Sequence, residues 1–391
     1  MVRHGRQLTS DSALLALGDG NTCAYVTAGD GALKCWGTNS EGQLGDGTEG
    51  TGADNRYTPT TINVGGPVGL LALGSGHVCA YTTAGAGALK CWGWNDYGQL
   101  GDGTKTDRRT PTTINVGGPV GLLALGRYHT CAFVTAGGAL KCWGLNAYGQ
   151  LGDGTTTDRL TPTTIDVGGP VGLLALGKDH TCAYLTAGAG ALRCWGLNSY
   201  GQLGDGTTTN RRTPTTIDVG GPVGLLALGS AHTCAYVTAG TRALTCWGLN
   251  NYGQLGDGTT TDRYTPTTIN VGGFVGLLAL GGQQLGKGFT CAYVTVGAGA
   301  LKCWGLNNYG QLGDGTKTDR YTPTTIDVGG PVGLLALGGQ HTCAYVKVGA
   351  GALKCWGLNN YGQLGDGTKT DRYTPTTIDV GGPVGLLALG G

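Results

Sequence analysis

The chain of 391 residues holds 80 glycines and 13 prolines, close to low-complexity composition, yet 40% of it is hydrophobic, which a disordered chain of that type lacks. With 25 Lys+Arg against 24 Asp+Glu the formal charge is +1, so a basic groove for nucleic acid is not expected. No run of about eighteen apolar residues occurs, so no membrane-spanning helix is expected.

Residues 1–12 read as an N-terminal extension. Arg3, His4 and Arg6 are followed by QLTSDS, a poor apolar core for a secretory signal. From residue 13 a repeat begins. Cys-Trp-Gly recurs from Cys35, Cys91, Cys142, Cys194, Cys246, Cys303 and Cys355, at spacings of 56, 51, 52, 52, 57 and 52 residues. The departures are local, chiefly within Glu49 to Asn55 and Gly282 to Gly288, as loop insertions would be. In the second unit four short apolar runs, Val68 to Leu73, His77 to Thr83, Ala88 to Gly93 and Thr110 to Val116, are separated by Gly, Pro and Asn. They predict four strands. No stretch of about ten residues free of Gly and Pro has a 3.6-residue apolar period, so helix is not expected.

The pattern predicts one all-β domain over residues 13–391, a seven-bladed β-propeller with four antiparallel strands per blade. An open β-solenoid is the alternative. The blade cores fall near residues 13–64, 68–116, 120–167, 171–219, 223–271, 275–328 and 332–380, with 384–391 as a surplus or ring-closing strand. The string HTCAYVKVGAGALKCWGLNNYGQLGDGT at His341 to Thr368, and above all its CWG-x-N-x-x-GQLGDGT core, resembles the regulator of chromosome condensation repeat family in its bacterial type. The resemblance implies a seven-bladed propeller. It does not imply one function, because that family includes an exchange factor for a small GTPase and a plant UV-B photoreceptor. The photoreceptor branch has an extra tryptophan ahead of the His-Thr pair. Here those places hold Tyr128, Asp179, Ala231 and Gln340, and only Trp94 is additional.

The elements do not all occur in equal number. Cys-Trp-Gly and Thr-Pro-Thr-Thr-Ile each occur seven times, whereas LLALG occurs eight times, from Leu14, Leu70, Leu122, Leu173, Leu225, Leu277, Leu334 and Leu386. A ring of seven blades has seven places for that strand. The first and last copies, with Leu14, Leu15 and Leu17 in one and Val384, Leu386, Leu387 and Leu389 in the other, therefore compete for one position beside the strand of Cys23. The loser packs alongside or frays, or it inserts into a neighbouring molecule. The latter exchange runs head to tail and makes filaments.

Each unit has two cysteines flanking a Gly-rich hairpin. A register centred on the turn, at Gly85 in the second unit, places them opposite each other, within reach of a disulfide. The predicted pairs are Cys23–Cys35, Cys79–Cys91, Cys131–Cys142, Cys182–Cys194, Cys234–Cys246, Cys291–Cys303 and Cys343–Cys355. Oxidation predicts an extracellular or cell-surface location, and reduced cysteines a cytoplasmic one.

The recurring His77, His129, His180, His232 and His341 read as structural residues rather than metal ligands, because the ring symmetry spreads them apart. The Gly-Asp-Gly-Thr aspartates read as turn residues bonding their own backbone. The motif tryptophans read as anchors between blades. Near-identical units offer no asymmetric set of acid, base and nucleophile, so neither an enzyme nor a cofactor is expected. Specific binding is sought where the units differ, between LLALG and the His-Thr pair. That criterion selects Arg127, Tyr128, Lys178, Asp179, Gln283, Gln284, Lys287 and Gln340. The expected function is a non-enzymatic scaffold that self-associates through its extra strand. The alternative is a monomeric module binding a protein or glycan on the variable-loop face, and family analogy adds a regulator of a small GTPase.

Overall fold

The computed structural model describes residues 14–27, 29, 31–50, 53–240, 242–282, 286–349 and 351–384. Side-chain chemistry orders each blade from the axis outward. In the first blade β1 (Leu14–Leu17), β2 (Asn21–Val26), β3 (Ala32–Gly37) and β4 (Arg56–Ile62) form an antiparallel sheet in that order. The second blade repeats this with β5 (Val68–Leu73), β6 (His77–Thr82), β7 (Ala88–Gly93) and β8 (Arg108–Ile114). Five more sheets of the same order complete a seven-bladed propeller.

The first strands meet around the ring, β1 against β5 on one side and against Val332–Leu337 of the seventh blade on the other. β2 is buried along its whole length, as a strand packed on both faces must be. β4 is largely half-buried, with Ile62 its one buried residue, and carries Pro59 in its middle. A proline there removes an N–H from a free edge, and every blade places one at the same point, which blunts the outer edge against pairing with another chain. The fourth strand begins at Arg108 in the second blade, two residues before the expected Thr110, because Arg108 pairs with Gly93 beyond a bulge.

Seven apolar clusters fill the spaces between blades, and the one joining the seventh blade to the first is built like the rest, from Leu15, Leu17, Ala24 and Trp36 on one side and Leu353 and Ile378 on the other. The cysteines of each hairpin lie directly opposite one another, with Cα atoms 4.1–4.2 Å apart, and all seven expected pairs are disulfides.

Candidate functional site

The repeated polar residues are consumed by the architecture. Each motif tryptophan is fully buried, and its Nε1 donates to the carbonyl of the GQLG glutamine in the preceding blade, as Trp92 does to Gln43 and Trp143 to Gln99. That carbonyl also accepts the hydroxyl of the next blade's threonine, as from Thr130 to Gln99. The threonine oxygen in turn lies 2.9–3.1 Å from a histidine Nε2 of the preceding blade, in the pairs His77–Thr130, His129–Thr181, His180–Thr233, His232–Thr290 and His341–Thr22. Because the threonine proton goes to the glutamine carbonyl, the histidine donates from Nε2. Burial holds all five rings neutral, with pKa values lowered to about 3.

Two seams lack the histidine link. Phe289 takes the histidine's place in the sixth blade, while at the first seam Asn21 replaces the histidine and Val78 the threonine, leaving both side-chain polar atoms of Asn21 buried without a partner.

The Gly-Asp-Gly-Thr aspartates are likewise engaged. Asp102 Oδ1 accepts from the amide and hydroxyl of Thr104, and Oδ2 pairs with Arg108 at 2.6–2.7 Å. Burial pushes this carboxyl up, but the bonds from Thr104 and Arg108 outweigh it and the pKa lies below the ordinary value. The arginine partner at the head of each fourth strand is a feature the turn reading did not include. No group of three or more His, Cys, Asp or Glu that could hold a metal occurs among the described residues.

What remains is concentrated at one mouth of the propeller, where the turns between first and second strands encircle the axis. A cavity of about 310 Å³ opens there, lined by the seventh, first and second blades and by Tyr128 of the third. Its lining includes Asp19, Thr38, Glu41, Trp94, Tyr128, Gln340 and Tyr361. Several of these are departures from the repeat. Thr38 and Trp94 stand where the other five units have leucine, and Glu41 where the other six have tyrosine. Gly76 makes room for the indole, since a Cβ there would lie 3.3 Å from Trp94 Cβ.

Trp94 meets Tyr128 edge to face at 4.7 Å, and Tyr97 stacks on Tyr128 at 5.3 Å. The Arg127 guanidinium lies 4.4 Å from the Tyr128 ring centre. Burial drives the Asp19 pKa up to about 6, against the lowering effects of a Ser75 hydrogen bond, Arg127 and Lys178, and Asp19 Oδ1 has no partner. Burial, with the charges of Asp96 and Glu41, raises the Asp107 pKa against the hydrogen bond from the Asn95 N–H.

Of the residues singled out by sequence, Tyr128 and Gln340 line this cavity and Arg127 backs it. Lys178 and Asp179 are buried, 8% and 6% exposed, and lie 3.9 Å from each other. Lys287 belongs to the sixth blade's turn and is outside the cavity lining. Gln283 and Gln284 lie outside the described residues. Asp19, Glu41 and Tyr361 were not singled out by sequence, though Asp19 and Glu41 are visible as departures once the units are aligned position by position.

The seam of the first blade is the second unusual place. β1 pairs with β2 from Leu14 opposite Tyr25 to Leu17 opposite Thr22. Val384 then bridges Val26, and Thr27 N–H donates to the Pro383 carbonyl at 3.3 Å. In the second blade those roles belong to Val68, opposite Thr82, and to Pro67, all on the strand that also carries Leu70 to Leu73. The inner strand of the first blade is thus assembled from both copies, the last supplying Pro383 and Val384 and the first supplying Leu14–Leu17. Leu386, Leu387 and Leu389 lie outside the described residues.

Seven four-stranded sheets ringed around an axis and tied by a tryptophan per blade define a closed seven-bladed repeat propeller. The regulator of chromosome condensation (RCC1) repeat model matches residues 30–81, 87–133, 138–184, 190–236, 245–283, 299–345 and 351–386, and the chain belongs to that family. It is 33% identical to the ultraviolet-B receptor UVR8 of Arabidopsis thaliana, over 89% of this chain and 78% of that one. It is also 33% identical to the probable E3 ubiquitin-protein ligase HERC4 of Homo sapiens, over 54% of this chain but only 20% of that protein's length. Among solved structures, human WBSCR16 superposes with a TM-score of 0.76 at 23% identity, covering 91% of this chain and 96% of that one. Prp20p of Saccharomyces cerevisiae, whose structure was described with its binding to Gsp1p and histones, gives 0.75 at 22% identity, covering 91% and 88%. These two likenesses show the fold. Membership of this family points to an interaction or regulatory role, and the seven disulfides fit an oxidising environment.

Proposed function

We propose that the protein is a non-enzymatic, disulfide-stapled scaffold of the extracellular space or cell surface whose copies join head to tail by exchange of a terminal strand. Residues 385–391 of one copy take the place that Leu14–Leu17 holds in the first blade of the next. The observation that supports this is the divided inner strand. Val384 sits in the register that Val68 has in the second blade, so the residues after it carry the same GLLALG continuation toward a place that β1 already fills. A segment whose sequence matches a slot matches the same slot in a neighbouring copy equally well, and such a heterologous contact does not close on itself.

The test compares the full chain with one lacking residues 385–391, by light scattering and electron microscopy under non-reducing conditions. Concentration-dependent filaments or oligomers are expected of the first and monomers of the second. Equal size for both overturns strand exchange. A second reading, a recognition module acting through the variable face, is favoured by the gathering of repeat departures around the cavity at the mouth.

A further inference from the structure

We infer that the cavity lined by the seventh, first and second blades and by Tyr128 of the third is a binding site for an organic cation, an alkylated ammonium group presented by a small molecule or by a protein side chain. The inference deepens the recognition reading and is independent of strand exchange.

In a chain of seven near-copies the departures are the informative residues, and here they converge in space. The first unit loses two bulky side chains, holding Thr38 in place of leucine and Glu41 in place of tyrosine, and the second gains Trp94 in place of leucine. The first change opens a cavity and the second gives it an aromatic wall. Tyr128 stands perpendicular to that wall, and Tyr361 lines the same cavity from the seventh blade.

The charge of the lining decides the ligand class. Asp19 and Glu41 face the cavity and no lysine or arginine does. Asp96 and Asp107 lie close enough behind Glu41 for their charges to be felt together. Arg127, against Tyr128, and Lys178, beside Asp179, act on Asp19 from outside the lining, and Glu41 has no such cation in the lining. Aromatic faces attract cations through their ring quadrupole, and carboxylates behind them add to that attraction where water is partly excluded. An anion would meet two carboxylates in the lining and no cation. A neutral ligand would use the aromatic wall but gain nothing from Glu41. A cavity of about 310 Å³ is at the lower end for small-molecule sites and suits one compact headgroup.

The test is calorimetric titration of the intact, oxidised protein with choline, with its neutral isostere 3,3-dimethylbutanol, with a lysine-containing peptide and with a neutral oligosaccharide. Two variants restore the residue of the other units and so preserve folding, Trp94→Leu and Glu41→Tyr, and their melting temperatures serve as the control. Choline or the peptide is expected to bind, and which of them binds more tightly identifies the source of the ammonium group. The neutral isostere should bind at least about ten-fold more weakly, and each variant should weaken binding by about ten-fold with little change in melting temperature. Equal binding of choline and its isostere, or cation binding that survives both variants, overturns the inference. Saccharide binding abolished by Trp94→Leu with no response to either cation also overturns it, while leaving the mouth a recognition site.

Discussion

Val384 bridges Val26 at the place in the first blade that Val68 occupies opposite Thr82 in the second, so one inner strand is shared between residues more than three hundred positions apart. Up to that valine the last repeat copy is in register, and from Leu14 onward the first copy takes over.

Interchangeable copies make single truncations mild and the double truncation severe. Removing residues 1–18 leaves 385–391 to complete the strand, and removing 385–391 leaves β1 in place. Losing both empties a slot that buries Leu15 and Leu17, at a cost of about 1.5–3 kcal/mol for each side chain. Thermal unfolding of the three variants should show a double loss much larger than the sum of the single ones.

Each disulfide closes a hairpin with a sequence separation of 11 or 12 residues. Replacing Cys79 and Cys91 together by alanine should lower stability by about 3 kcal/mol in chemical denaturation, on the chain-entropy account. Mass measurement of the unreduced protein should find no free thiol.

The five buried histidines make stability fall in mild acid. Their pKa values fall from 6.5 to about 3 through burial, so the folded state resists protonation that the unfolded chain accepts. Their contribution is complete above pH 6.5 and is lost as pH falls from there toward about 3. Asp19, raised to about 6, acts in the opposite sense but is a single group. Urea denaturation at pH 7.5 and pH 5 should therefore give a lower midpoint at pH 5, and His129→Gln should reduce the difference.

The seam between the first two blades can be repaired. Asn21→His with Val78→Thr recreates the pair found at five other seams and removes an unpartnered buried amide. The double variant should gain about 1–2 kcal/mol, read as a raised melting temperature, and either change alone should gain less.

Gly101 has φ of +82°, and a Cβ there would lie 2.6 Å from Trp143 Nε1, the atom that donates to Gln99. Gly101→Ala should cost at least about 1–3 kcal/mol from the backbone conformation and the displaced indole, measured by denaturation together with a shift in tryptophan fluorescence.

The ring was legible because its determinants are local and repeated. The spacing of Cys-Trp-Gly gives the blade number, and the hairpin turn places Cys79 opposite Cys91. What depends on contacts between units was less so. Arg108 reaches back to Asp102 across a loop, and nothing in the spacing of the aspartate turn indicates that partner. Lys178 and Asp179 are variable and charged, which suggests a display surface, yet both are buried. The cavity required a comparison of the first unit with the others, because Thr38 and Glu41 matter for the bulk they lack. The eighth LLALG copy announced a contest for one slot, but the division at Val384 rests on a register that only three dimensions reveal.

Histidine–threonine bridges tie blades two through six into one arc and blades seven and one into another, and neither joint between the arcs carries such a bridge. Those two joints keep the tryptophan bond, from Trp92 to Gln43 and from Trp356 to Gln311, so the ring is continuous in its apolar packing but uneven in its polar stitching.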